Sequence, residues 1–148
     1  MPFRTRPEQP RELKTLIETE LRERIEEAVD AVGIDVLVRQ RRAHGLPPPV
    51  ADSASDRQEF AVLVQAFVAR LSADVLRGAT VEQRRKAADV AARAGGDPPT
   101  GLIAAQVLLA RELPDYWQRF DAVRSTFVAE ALKSGRNRRG LLRRLLGR

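Results

Sequence analysis

Apolar residues recur at steps of three and four from Leu13 onward, through Leu16, Ile17, Leu21, Ile25, Ala28, Val29, Val32 and Val36. That spacing lays them along one stripe of a helix. Glu18, Glu20, Arg22, Glu23, Arg24, Glu26 and Glu27 fill the other faces as a solvated, ion-paired surface, with Glu20 and Arg24 at the favourable i,i+4 spacing. The pattern predicts a long amphipathic first helix over 8–42. At Gly33 it tightens to Ile34, Val36, Leu37 and Val38, where a bend or a short strand is expected.

His44-Gly45-Leu46-Pro47-Pro48-Pro49 breaks that helix, because each proline removes a donor and pushes the residue before it toward extended geometry. A second helix is expected from Asp56, with Ser55 as N-cap and Gln58 returning the capping box. Phe60, Leu63, Val64, Phe67, Val68, Leu71, Val75 and Leu76 form its buried stripe, and Gly78 closes it in a left-handed conformation. Thr80 and Gln83 repeat the capping box for a third helix over 81–94, whose Ala87, Ala88, Val90, Ala91 and Ala94 allow a close neighbour. Asp97-Pro98-Pro99 reads as a stiff link. Thr100 would cap a fourth helix over 101–113, apolar nearly all round except for Gln106 and therefore central.

Pro114 ends or kinks that helix and Asp115 caps a fifth over 116–133, with Trp117, Phe120, Val123, Phe127, Val128, Ala131 and Leu132 toward one side. Trp117 and Phe120 are expected in the core and Tyr116 at the surface, and Gly135 is expected to end the helix. The reading is an all-α, single-domain bundle of about five helices: a lead over 1–10, the bundle over 11–133, and a short basic amphipathic C-terminal tail over 134–148.

Composition agrees with a folded domain: 43% hydrophobic and 31% charged is too apolar for a disordered chain of 148 residues. The net charge of +6 is unevenly placed. Up to Lys133 there are 20 basic and 20 acidic residues, and the six arginines Arg136, Arg138, Arg139, Arg143, Arg144 and Arg148 follow without an acid. Only Lys14, Lys86 and Lys133 are lysines, a skew that suits phosphate because the guanidinium fork binds it bidentately. A GC-rich coding sequence would give the same skew, and the abundant Ala, Gly and Pro fit it. The start lacks a secretory core, no apolar run approaches the ~20 residues that span a bilayer, and a cytoplasmic location is expected.

Chemistry is sparse. Without cysteine there is no thiolate metal site or cysteine nucleophile. His44, the single histidine, cannot assemble a zinc site or a two-histidine carboxylate bundle centre. Gly95-Gly96-Asp97-Pro98-Pro99-Thr100-Gly101 lacks the Lys-Ser/Thr ending of a phosphate loop and follows a helix. No catalytic residue, cofactor, metal or small-molecule substrate is implied.

What remains is arginine. Over 136–148, Leu141, Leu142, Leu145 and Leu146 share one helical side while Arg143, Arg144 and Arg148 take the other. A segment this short is marginal as an isolated helix and should order on meeting a partner. A nucleic-acid backbone would use the arginines, a protein subunit the leucines, and an anionic membrane surface both. Arg39, Arg41 and Arg42 at the end of the first helix and Arg84, Arg85 and Lys86 on the third would join one positive surface if they converge.

In size, helical content, arginine patches and lack of an active site, the chain resembles the small subunits of CRISPR effector complexes, helical bundles that line the RNA or displaced-strand path. The likeness covers the whole chain at the level of architecture and no motif carries it, so no family residue is transferred. It implies a non-catalytic subunit of a larger assembly contacting the backbone of RNA or single-stranded DNA. The alternative is a scaffold bundle whose Leu/Arg tail docks on a partner subunit or an anionic membrane.

Overall fold

The structure, a computed structural model, describes the backbone of residues 10–146 and the side chains of 12–133 apart from residue 98. Five helices follow one another as α1 (Pro10–Ala43), α2 (Ala54–Arg77), α3 (Val81–Ala94), α4 (Pro98–Glu112) and α5 (Tyr116–Leu146), with no strand among the described residues. The fold is the all-α bundle that the periodicity predicts.

Side-chain contacts set the helix directions. Arg41 near the end of α1 meets Asp56 at the start of α2, so these two run antiparallel. Arg24 lies over Trp117, and Gln40 donates from Nε2 to the Ala131 carbonyl at 3.2 Å, so α1 and α5 run parallel. α1 and α2 each touch both α4 and α5, and α3 rests against α4.

Gly33 neither bends α1 nor opens a strand. It is buried in an unbroken helix, and a Cβ there would lie 3.0 Å from both Phe60 and Val64. The missing side chain lets α2 approach, and packing outweighs the ~1 kcal/mol by which glycine disfavours a helix. The predicted apolar stripe of α1 is only half used. Ile25, Val29, Val32 and Val36 are buried, while Leu13, Leu16 and Ile17 are 42–48% exposed. At about 100° per residue, these three centre roughly 140° away from the buried four, so one face cannot cover both.

Three helix boundaries differ from expectation. The N-cap of α2 is Ser53, not Ser55: its Oγ accepts from Asp56 N at 3.2 Å. Asp56 then occupies the position from which a capping box would return, but its carboxylate bonds Val50 N and Arg41 instead. The N-cap of α4 is Asp97, not Thr100, because Pro98 and Pro99 form the first turn, where backbone donors have no helical acceptor anyway. Asp97 Oδ1 accepts from Thr100 N at 3.1 Å and from its Oγ1 at 2.6 Å. Gly78 has φ −93°, so α2 ends without a left-handed residue. Arg84 reaches back instead, its Nη1 donating to the carbonyls of Leu76 and Ala79. The Thr80–Gln83 capping box on α3 forms as expected.

Phe67 centres the α2–α5 seam, edge-on to Phe120 at 5.5 Å and to Phe127 at 5.2 Å. Trp117 is half-buried beneath the Arg24 guanidinium, 4.1 Å from the ring centre. Tyr116, expected at the surface, is 1% exposed. It is drawn inward by Gln106 of α4, itself fully buried, whose Oε1 accepts the phenol proton at 2.7 Å. A hydroxyl buried without a partner costs several kcal/mol, and this bond offsets that cost.

Gly135 does not end α5. The helix continues to Leu146, 31 residues in all and about 46 Å long. Leucine and arginine are strong helix formers, and a helix nucleated by packing propagates through Gly135 and Gly140 more cheaply than it starts anew.

Candidate nucleic-acid interface

Of the 12 basic positions singled out above, the 11 whose backbone is described fall at two ends of the bundle. Arg39, Arg41 and Arg42 close α1 beside Ala131, the point from which α5 continues into its arginine segment. Arg84, Arg85 and Lys86 lie at the other end, where Arg84 caps α2 and Lys86 reaches Glu112 at the foot of α4. Arg41 meets α2 at Glu59 and Arg84 meets it at Leu76. The 17 intervening steps put about 25 Å between the two groups. They do not converge on one patch.

Local chemistry also sorts them. Arg41 is largely sequestered: Nη2 lies 2.6 Å from both Asp56 and Glu59. Its hydrogen bond, with a second from Val50 N, holds the Asp56 carboxyl below the ordinary carboxylate range. Arg39 pairs with Asp35 at 2.9 Å, exposed and one turn away on the same helix. Such a pair is worth a few tenths of a kcal/mol and yields readily to a phosphate. Arg42 is exposed with no carboxylate partner among the described residues. Arg85 is tied to Glu82 at 2.7 Å, which holds that carboxyl low, and Lys86 lies 3.4 Å from Glu112.

The side chains of Arg136, Arg138, Arg139, Arg143 and Arg144, and of Leu141, Leu142, Leu145 and Leu146, lie outside the described residues, as does Arg148 altogether. The backbone places all but Arg148 on α5, beyond its last contact with Gln40. Arg39 and Arg42 therefore stand at the base of a helix carrying five more arginines.

A second feature escaped the reading of α1 as an ion-paired surface. Glu26 and Asp30 have no cation partner among the described residues and border a cleft of about 290 Å³ with Val64, Val68, Asp97 and Ile103. The signal was present: they are like charges at i,i+4, and Asp30 has no base three or four residues away on either side. No group of three or more His, Asp or Glu among the described residues could hold a metal ion, and no helix of the described residues is long and apolar enough to cross a membrane.

No family model matches this chain, and no characterised protein or solved structure does either.

Proposed function

We propose that this chain is a non-catalytic helical subunit that binds the backbone of RNA or single-stranded DNA, without base specificity, as part of a larger assembly. The extended C-terminal end of α5 is the binding element, with Arg39 and Arg42 at its base. The observation that carries the reading is that α5 stays helical to Leu146, projecting the chain's surplus charge from the end of a body in which the charges balance. A backbone already helical before the ligand arrives lowers the ordering cost of binding. Arg84, Arg85 and Lys86, about 25 Å away along α2, serve at most a second stretch of the same strand.

Replacing Arg138, Arg139, Arg143 and Arg144 with glutamine is expected to remove most affinity for a single-stranded RNA oligonucleotide in a gel shift at low salt. Helical content by circular dichroism should stay as it was. Undiminished binding would move the site to the body. The exposed Leu13, Leu16 and Ile17 favour a second reading, a scaffold bundle that docks on a protein partner through apolar contacts. Such docking would be nearly indifferent to salt.

A further inference from the structure

Glu26 and Asp30 stand one turn apart on α1, a like-charge arrangement that costs stability. Several carboxylates are paired: Asp56 and Glu59 share Arg41, and Asp74 and Glu130 share Arg70. These two are not, and partial burial without a cation raises the Asp30 carboxyl above its ordinary range. The cleft they border has an apolar floor, Val64 and Val68 from α2 with Ile103 from α4, and Asp97 on its rim. Val68 is fully buried and Ile103 nearly so. An apolar floor under an acidic rim fits a segment with leucines along one helical side and arginines on the other, whose long stems carry guanidinium groups round to the rim.

This chain contains such a segment over 136–148. A copy cannot place it in its own cleft while α5 stays straight. From Ala131, fixed beside Gln40, the 15 residues to Leu146 carry the helix about 22 Å onward, parallel to α1. Asp30 lies ten residues back from Gln40, about 15 Å in the opposite sense.

We propose that the cleft bordered by Glu26 and Asp30 is the docking site for the Leu/Arg C-terminal segment of a second copy, so that copies associate tail to cleft. The two surfaces differ, so the contact does not close on itself and extends into a series. This follows from the cleft and the direction of α5 and holds whether or not the chain binds nucleic acid. If it does, strand and cleft compete for the same arginines, and nucleic acid disperses the series.

The test is sedimentation velocity of the full-length chain over a range of concentrations at low salt, with two full-length variants. Wild type should grow in mass with concentration. The cleft variant Glu26→Gln/Asp30→Asn and the tail variant Arg143→Gln/Arg144→Gln should each weaken self-association by about tenfold or more, the effect of losing a charge-assisted contact. An equimolar mixture should form one-to-one dimers, because each variant retains the half that the other has lost. The cleft variant should keep its affinity for single-stranded RNA, which separates this outcome from failure of the nucleic-acid reading, and its circular dichroism should match wild type. A monomeric wild type at every concentration, a cleft variant that associates like wild type, or a mixture that stays monomeric would each overturn the proposal.

Discussion

Tyr116 gives its proton to Gln106 inside the core, while the Gln106 Nε2 has no partner among the described residues. Removing the phenol oxygen strands the whole amide. Tyr116→Phe is therefore expected to cost about 1–3 kcal/mol in urea unfolding, the penalty for an unpaired buried polar group. Adding Gln106→Leu should recover most of that loss, whereas additive losses would show that the pair is not coupled. Gly101 is constrained differently. A Cβ there would lie 2.8 Å from the Ala91 carbonyl oxygen, a backbone atom that cannot swing aside. The gain in helix propensity of about 1 kcal/mol is smaller than an overpacking cost of about 1–3 kcal/mol, so Gly101→Ala should lower stability on balance.

Asp30 and Asp56 respond oppositely to pH. Asp30 has its carboxyl raised by burial, so its penalty is absent below the unfolded value of 3.8, sets in as pH rises toward the folded value, and is full above it. In a dilute, monomeric sample Asp30→Asn should raise Tm at neutral pH and leave it unchanged below pH 3.8. Asp56 is lowered by the Arg41 hydrogen bond, so its contribution is full above 3.8 and is lost as pH falls through the folded value. A Tm for Asp30→Asn that fell at neutral pH in that monomeric sample would mean that the carboxylate has a cation within its own copy.

At the scale of elements, the existence and order of all five helices were legible, because each carries a strong three-four apolar period or a capping signal. Their ends were less so, for local reasons. Pro98-Pro99 reads locally as a link, yet proline fits the first turn of α4. Ser53 and Ser55 both suit an N-cap, and what separates them is the Asp56 carboxylate, held by Val50 and Arg41. Ser53→Ala is expected to cost about 1 kcal/mol in thermal unfolding and Ser55→Ala almost nothing. Equal losses would put the cap elsewhere. Tyr116 lies in the core rather than at the surface because burial of a phenol depends on a partner from another helix, Gln106, which spacing along one helix does not reveal.

At the scale of the molecule, directions decide what charge can do. Antiparallel α1 and α2 separate the two basic groups of the body, while parallel α1 and α5 bring Arg39 and Arg42 to the root of the arginine segment. Sequence shows how many charges there are; topology shows which of them share an end. The same geometry leaves Glu26 and Asp30 on a flank that α5 cannot neutralise within one copy. The charge imbalance between body and tail was readable from composition alone, but its projection as a continuous helix was not, since Gly135 reads locally as a stop.

Whether α5 presents its surplus guanidinium groups to a polyanion shows in the salt dependence of single-stranded RNA affinity. Six phosphate contacts on a single strand predict a slope of log K against log salt near −4, from about 0.7 per contact. The intact chain should show that slope, and the chain deleted beyond Ser134 nearly none. A flat line for the intact chain, or the same steep line after the deletion, would contradict it.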